Sequence, residues 1–575
     1  MNSWNIVQYG VFLLLLTALV KPAGAYLTRV FFQPAAPFDG VLGRVERGIY
    51  RLCGVDPRQE MDWKTYTLAF LLFSFAGTLL LYAMLRLQPF GQPLDPAFRP
   101  APLAPDLAMN TAISFATTTT WQAYSGESSM SYLSQMAGLA AQNFLAGAAG
   151  LSIGVAFIRG LVRQRSGTLG NFWVDLTRSI LWVLLPISLI GALLLVWQGV
   201  PQNWHPYIAI TGLQGASQTL PQGPVAALEF IKNLGTNGGG FFNANGAHPY
   251  ANPTPLSNLI GMLAIAVLPA GLTYTFGRVS GQQRHGWLLF IVMLVMFGAG
   301  LWICDRAEQA GNPRLASLGM QQAASALQPG GNMEGKELRF GIGQSVLTSI
   351  TTSNGATGSV NAMHDSYTPI GGGMTLFNML LGEPIFGGLG TGIYSIVMYV
   401  LIAVFLGGLM IGRTPEYLGK TLNPIEMRLV ALYTIIGPLF VLPLTALALT
   451  TKAGLAGLTT NTGPHGFSEV LVAYATTMAN NGQSFAGLSS NIAFYNITTA
   501  ITMTAGRYWL AIPALALAGR FAAQGHRTAS SGTLPTDTPL FGGMVVAAML
   551  IIGGLSYFPA LAMGPIVEHL LLLQR

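Results

Sequence analysis

Charge is what this sequence has least of. Of its 575 residues, 9% are Asp, Glu, Lys or Arg and 51% are hydrophobic, whereas soluble domains carry about 25% charged residues. That balance excludes an ordinary water-soluble fold and implies an integral membrane protein in contact with lipid. Cysteine is almost missing as well. Cys53 and Cys304 supply neither a disulfide framework nor a metal cluster, and their segments are expected near opposite membrane faces. The net charge is +7, yet no basic run or aromatic–basic interleaving accompanies it, so no nucleic-acid partner is expected. No DKTGT phosphorylation motif occurs. The closest approach to a phosphate-cradling loop is 412–421 (GRTPEYLGKT), where six residues, 413–418, stand before the Gly-Lys. That is more than such a loop has, and the segment follows a membrane helix where the motif needs a strand. It either docks a cytosolic partner or fixes topology. No catalytic site is expected, and the chain alone is not expected to hydrolyse ATP.

What the sequence has is long apolar runs. Stretches able to span about 30 Å of hydrocarbon lie near 5–22, 65–86, 133–159, 173–198, 255–277, 286–304, 392–412, 427–450, 491–519 and 540–563. The first is preceded by no charge and followed by Lys21, the reverse of a signal peptide, so it reads as an uncleaved helix. Ten crossings put 21–64, 159–178, 278–285, 413–428 and 520–538 on one side, and these hold 18 of the 28 Lys and Arg residues. The other side holds Arg86, Arg99, Lys232, Arg306, Arg314, Lys336, Arg339, Lys452 and Arg575. An inside excess of basic residues predicts both termini outside.

Each long outer connection contains a cluster of Gly, Thr, Asn or Ser: 117–122 (TTTTWQ), 235–241 (GTNGGGF), 355–359 (GATGS) and 479–483 (ANNGQ). Before each lies an apolar stretch too short to cross, at 107–116, 225–234, 342–350 and 467–476. Irregular backbone survives at membrane depth only when buried in protein or lining a watery cavity. The unit therefore reads as helix, re-entrant pore helix, loop, helix, four times around one axis. Backbone carbonyls and hydroxyls in such loops can replace the hydration shell of an alkali cation. The clusters are chemically unequal. The second carries Gly238, Gly239 and Gly240 in a row, the third and fourth centre on Gly358 and Gly482, and the first has no glycine.

The motifs GTNGGGFFNANGAHP (235–249), WQAYSGE (121–127), SQMAGLAAQNF (134–144), NMEGKE (332–337), AMHDS (362–366), GLMIGRTPEYLGK (408–420), GPHGFSEV (463–470) and SSGTLPT (530–536) together resemble the KdpA family, the potassium-translocating subunits of bacterial Kdp ATPases within the superfamily of K⁺ transporters. The resemblance implies an all-α polytopic membrane protein of about ten transmembrane helices. Four membrane–pore–membrane repeats would surround a pseudo-fourfold pore, with one extra helix at each end. The expected divisions are 1–64 (extra helix and cytoplasmic loop), 65–160, 173–278, 286–412, 427–521 and 538–575 (extra helix).

It also implies a K⁺ selectivity filter at Gln122, Gly238, Gly358 and Gly482, with Thr118, Thr119, Thr120, Thr236, Asn237, Gly239, Thr357, Ser359 and Asn481 beside them. Relatives carry asparagines among the threonines of the first loop; 117–120 here has none, which leaves the register of that quadrant open. Implied partners are a P-type ATPase subunit (KdpB-like) that uses ATP and Mg²⁺, a single-span subunit (KdpC-like) and a one-helix peptide (KdpF-like), in a bacterial inner membrane. K⁺ would be the substrate ion, with no cofactor in this chain. The alternative is a self-sufficient channel or ion-coupled symporter of the Trk/Ktr/HKT type.

Five further charged or polar features stand out. Arg507 lies inside an apolar run, where a charge normally faces a cavity or a partner; it is either a positive charge below the filter or a structural ion pair, and the resemblance favours the first. Glu383 sits among Gly382, Pro384, Gly387, Gly388 and Gly390, which break a helix, and serves as a gate or as a solvated kink. Glu229 and Lys232, three apart, can pair on the second pore helix, and Glu469 lies on the fourth. His364–Asp365 has no nucleophile or oxyanion motif near it and reads as a loop contact.

Overall fold

The computed structural model describes residues 3–34, 36–88, 100–326, 328–527 and 533–574. Arg99, Arg575 and residues 530–532 of the SSGTLPT motif lie outside the described residues. The chain is helical almost throughout. Among the described residues, nine helices are long and apolar enough to cross a membrane: Trp4–Phe32, Trp63–Leu87, Ser134–Val162, Phe172–Trp197, Pro255–Ser280, Gln283–Ser317, Thr391–Met410, Pro424–Thr450 and Pro539–Leu573. They coincide with nine of the ten expected crossings. The tenth is also one helical stretch, over 493–523, but Arg507 and the hydroxyls of Thr498, Thr499, Thr502 and Thr504 leave it less apolar than the rest.

The helix starts follow from local chemistry. Asp62 accepts from the Thr65 amide, and Thr254 and Asn423 form capping boxes with Ser257 and Glu426, each followed by a proline at the first helical position. The first helix lies along Pro255–Ser280. They cross where Gly24 meets Gly271: a Cβ on Gly24 would come within 2.5 Å of the Gly271 carbonyl. Small residues at such crossings let membrane helices approach closely.

Four short helices, Pro105–Ala116, Val225–Leu234, Gly341–Asn354 and Gly463–Met478, occupy the four expected positions and extend the expected bounds by up to a turn. At 1.5 Å per residue the longest reaches about 24 Å, short of a crossing. They are buried on nearly every face. The chain is interrupted where the glycines around Glu383 imply a break: the helices Pro369–Leu380 and Thr391–Ile411 are separated by ten non-helical residues, 381–390.

Two small antiparallel hairpins complete the described chain. One pairs Ile208–Thr211 with Ser217–Leu220, and the other pairs Glu416–Tyr417 with Lys420–Thr421. In the second, the Lys420 ammonium donates to the carbonyls of Phe521 (2.7 Å), Gly160 (3.2 Å) and Arg163. It thereby satisfies orphan groups where the Ala141–Val162 and Leu510–Ala523 helices end. Lys420 is thus turned inward, while Arg413 and Arg428 remain exposed. Cys53 is exposed at the end of Asp39–Cys53, and Cys304 is buried; both are free thiols.

Candidate functional site

Each short helix runs directly into its polar cluster, and the four clusters share one backbone signature. Left-handed residues occupy alternate positions: Thr118 and Thr120 (φ 65° and 48°), Thr236 and Gly238 (51° and 95°), Ala356 and Gly358 (48° and 76°), Asn480 and Gly482 (51° and 83°). Residues other than glycine are uncommon in this region, so its recurrence defines a register. The first loop aligns as 117–121 with 235–239, 355–359 and 479–483. Thr120, and not Gln122, is therefore level with Gly238, Gly358 and Gly482. Gln122 lies two residues further on and brackets the second loop, its Oε1 accepting from the Gly240 amide and its Nε2 donating to the Gly240 carbonyl, both at 3.0 Å.

The loops close on one another in a ring. A Cβ on Gly238 would overlap the carbonyl oxygen of Thr357, one on Gly358 that of Asn481, and one on Gly482 that of Thr119. Between the first and second loops the same position is filled by Thr120, whose hydroxyl donates to the Asn237 carbonyl and accepts from the Gly239 amide at 2.6 Å. Thr118, Thr119, Thr236, Gly239, Thr357 and Ser359 all lie in these loops and are buried.

Three asparagine side chains, of which only Asn481 is in the expected set, hold the ring together. Asn245 donates to the Gly238 carbonyl (2.7 Å), while its Oδ1 accepts from Lys232 Nζ (2.7 Å) and the Val360 amide (3.2 Å). Asn480 donates to Thr119 Oγ1 and to the Met503 carbonyl, each at 2.9 Å, and Asn481 donates to the Thr352 carbonyl at 2.8 Å. Asn245 and Asn480 were missed by sequence reasoning. For Asn480 a signal existed: it stands two before Gly482, as Thr236 stands before Gly238, and asparagine tolerates the left-handed region.

The broken helix lies against the ring. The Leu389 amide donates to Thr236 Oγ1 (2.8 Å), and Gly388 rests against Ala356. Glu383, left-handed and buried, accepts from Thr391 Oγ1 at 2.7 Å. Arg507 lies in a wide helical turn, Ala505–Trp509, with its Nη2 donating to the Ala146 carbonyl (3.0 Å) and its guanidinium 6.0 Å from the Phe70 ring. Gly150 backs both Leu389 and Arg507. A cavity of about 80 Å³ adjoins this region, lined among others by Glu383, Thr391, Tyr394, Asn480 and Gly506.

Two other buried lysines are paired. Lys232 is 2.6 Å from Glu229, as the spacing implied, and Lys336 is 2.7 Å from Glu308. His364 and Asp365 turn to different partners: His364 Nδ1 meets Gln483 Nε2 at 2.5 Å, and Asp365 meets His465 at 3.0 Å and Asn461 at 2.9 Å. They are loop contacts. Asn461 also donates to Glu469 at 2.9 Å. The carboxyl ends of the four short helices, each carrying partial negative charge, border the ring.

Residues 10–570 match the family of potassium-transporting ATPase A subunits, KdpA. The chain is 52% identical over 571 residues to a potassium-transporting ATPase potassium-binding subunit of Methylobacterium nodulans, covering 99% of this chain and 98% of that protein. A protein of the same description from Sorangium cellulosum is 50% identical over 579 residues, covering 99% of each. Among solved structures, the potassium transporter TrkH from Vibrio parahaemolyticus is similar, with a TM-score of 0.51 and 14% identity over 89% of this chain and 97% of that one. At that identity the likeness is one of fold. Matches of this length, together with the helical membrane architecture, lead to one conclusion: the chain belongs to the KdpA family of potassium-transporting ATPase A subunits.

Proposed function

We propose that this chain is the K⁺-binding and K⁺-translocating subunit of an ATP-driven, high-affinity potassium uptake complex, with the ring of four loops as its selectivity filter. One observation carries the proposal: four loops with the same alternating backbone, each at the carboxyl end of a buried helix, close on one another. Helix ends of that polarity favour a cation, and ringed carbonyls and hydroxyls can replace its water. The filter comprises Thr118, Thr119, Thr120, Thr236, Asn237, Gly238, Gly239, Thr357, Gly358, Ser359, Asn481 and Gly482, with Gln122 as a bracket at its rim. The repeats follow the divisions 65–160, 173–278, 286–412 and 427–521, flanked by 1–64 and 538–575.

K⁺ enters from the periplasmic side and passes the broken helix, where Glu383 and Arg507 set the charge along its path. The driving ATPase is a partner subunit of the KdpB type, which supplies ATP and Mg²⁺ chemistry, with KdpC-like and KdpF-like subunits completing the complex. The chain sits in a bacterial inner membrane with both termini periplasmic.

Replacing Gly358 by Ser in the purified complex forces a Cβ toward the Asn481 carbonyl. Overpacking of this kind costs about 1–3 kcal/mol, so the half-activating K⁺ concentration for ATP hydrolysis is expected to rise about tenfold, with the order of K⁺, Rb⁺ and Na⁺ altered. Unchanged ion affinity and order would overturn the filter assignment. Steady K⁺ flux through the purified chain alone, without ATP, would instead support the self-sufficient channel.

A further inference from the structure

Three of the four positions level with one another in the ring are glycine, and in this chain the fourth is Thr120. The difference falls on one oxygen. Gly238, Gly358 and Gly482 each present only a Cα to the carbonyl of the next loop, at Thr357, Asn481 and Thr119. Thr120 presents a hydroxyl to the equivalent carbonyl of Asn237, and the same hydroxyl accepts from the Gly239 amide. Threonine is an unfavourable residue for a left-handed position, because its branched Cβ crowds the backbone. Thr120 is held there at φ 48°, fully within the protein. Its amide is anchored as well, donating to the Ser114 carbonyl at 2.9 Å. A strained residue maintained by three hydrogen bonds marks a position where the surroundings dictate the conformation.

We propose that Thr120 is a specificity-setting positioning residue: its hydroxyl ties the first loop to the second and draws on the Asn237 carbonyl, making that member of the ring a weaker cation ligand than its three counterparts. The proposal rests on reading the ring as the filter and deepens it. A carbonyl that already accepts a hydrogen bond offers less field to an ion. A ring of lower field strength discriminates against Na⁺, whose hydration is the harder to replace, and in favour of K⁺. The first quadrant thus contributes to selection through the bond it makes to its neighbour.

The test compares Thr120→Ser, Thr120→Val and Thr120→Gly in the whole purified complex, with Gly358→Ser as a control for the filter itself. The readout is the ratio of half-activating Na⁺ to K⁺ concentrations for ATP hydrolysis, alongside the thermal midpoint of each preparation. Thr120→Ser keeps the hydroxyl and is expected to keep the ratio. Thr120→Val keeps the shape without the hydroxyl, and Thr120→Gly makes the ring uniform; both are expected to lower the ratio about fivefold, the equivalent of one net hydrogen bond. Thr120→Gly also relieves the strained φ, so its thermal midpoint is expected to hold or rise while selectivity falls, a combination that a merely structural role does not produce. If Thr120→Val and Thr120→Gly leave the ratio at the native value while Gly358→Ser shifts it, the filter stands and the role of Thr120 is overturned. If none of them shifts it, both fall.

Discussion

Two arrangements of buried charge stand side by side near the ring. On the second short helix, and just ahead of the third, the charge comes in pairs. Lys232 lies 2.6 Å from Glu229, and Lys336 lies 2.7 Å from Glu308, whose oxygens also accept from Thr368 and Asn332. Beside the ring, Glu383 and Arg507 are equally buried, but among the ion pairs of the described residues neither takes part. Glu383 is held by a threonine hydroxyl and Arg507 by a carbonyl. A tight pair cancels most of its own field, whereas a lone charge in a low-dielectric interior acts on whatever passes near it. The two pairs largely cancel their own fields; Glu383 and Arg507 keep theirs, which is the basis for proposing that they act on the ion.

Lys232 is where loss of a paired charge should cost the most. Lys232→Met leaves Glu229 buried without its cation and removes a donor from Asn245, which orients the Gly238 carbonyl. Losing one partner of a buried pair destabilises by about 3–5 kcal/mol, so a steep fall in thermal midpoint and yield is expected. Replacing both members together, with Glu229→Leu added, is expected to restore much of that stability, since an apolar pair of similar volume is often neutral. A stable Lys232→Met protein with an altered ion order would move this pair into the company of the lone charges.

Arg507 is the converse case. At an effective dielectric of about 20, like unit charges about 8 Å apart repel by about 2 kcal/mol, about thirtyfold in occupancy. Arg507→Gln is therefore expected to raise passive K⁺ leak in ATP-free proteoliposomes about thirtyfold, with little change in the thermal midpoint, while Arg507→Lys stays near native. Unfolding without leak would make Arg507 a structural residue like Lys232.

Much of this contrast was open to reading from residue order alone. Apolar runs of membrane length and short amphipathic stretches before polar clusters defined the helices, because span length and burial are local properties of the chain. The broken helix at 381–390 followed from its glycines and Pro384. What stayed hidden depends on chain return. The partner of Arg507 is the carbonyl of Ala146, 361 residues away. Asn245 acts on Gly238 only because the segment after the second cluster folds back, and no local pattern announces it. The resemblance sets Gln122 beside the three glycines but leaves the first register open, because a threonine run carries no glycine to mark its left-handed positions. Only its contacts with Asn237 and Gly239 fix the register at Thr120.

Glu383 offers a finer distinction. Glu383→Gln keeps a group that can bond Thr391 but removes the charge. The thermal midpoint is expected to stay near native, because the amide oxygen still accepts from Thr391 Oγ1. The half-activating K⁺ concentration is expected to rise about threefold, the difference between a charged and a neutral oxygen as ligand or bond acceptor. A drop in stability with unchanged K⁺ activation would mean that the carboxylate only fixes the kink.

The smallest effect belongs to a third arrangement, at the start of the fourth short helix, where charge is paired but open to titration. His465, at the start of the fourth short helix, lies 3.0 Å from Asp365 and 2.8 Å from Glu568 on the C-terminal helix. Asn461 links Asp365 to Glu469 beside it. Burial opposes the imidazolium, but the bonds to Asp365 and Glu568 outweigh it and hold the proton up to about 10, against an ordinary 6.5. A group whose folded pKa is raised contributes stability that is complete below its unfolded pKa and is lost as pH climbs through the folded one. The window here runs from 6.5 to about 10. Because the cluster is partly exposed and screened, the contribution should be only about 1 kcal/mol. Relative to His465→Gln, the native protein is expected to be the more thermostable at pH 6.5 and to converge on the variant as pH approaches 10, at low salt. A difference constant across that range would show that His465 holds the fourth short helix to the C-terminal helix by shape and neutral hydrogen bonds, as the amides around the ring do, and not by charge.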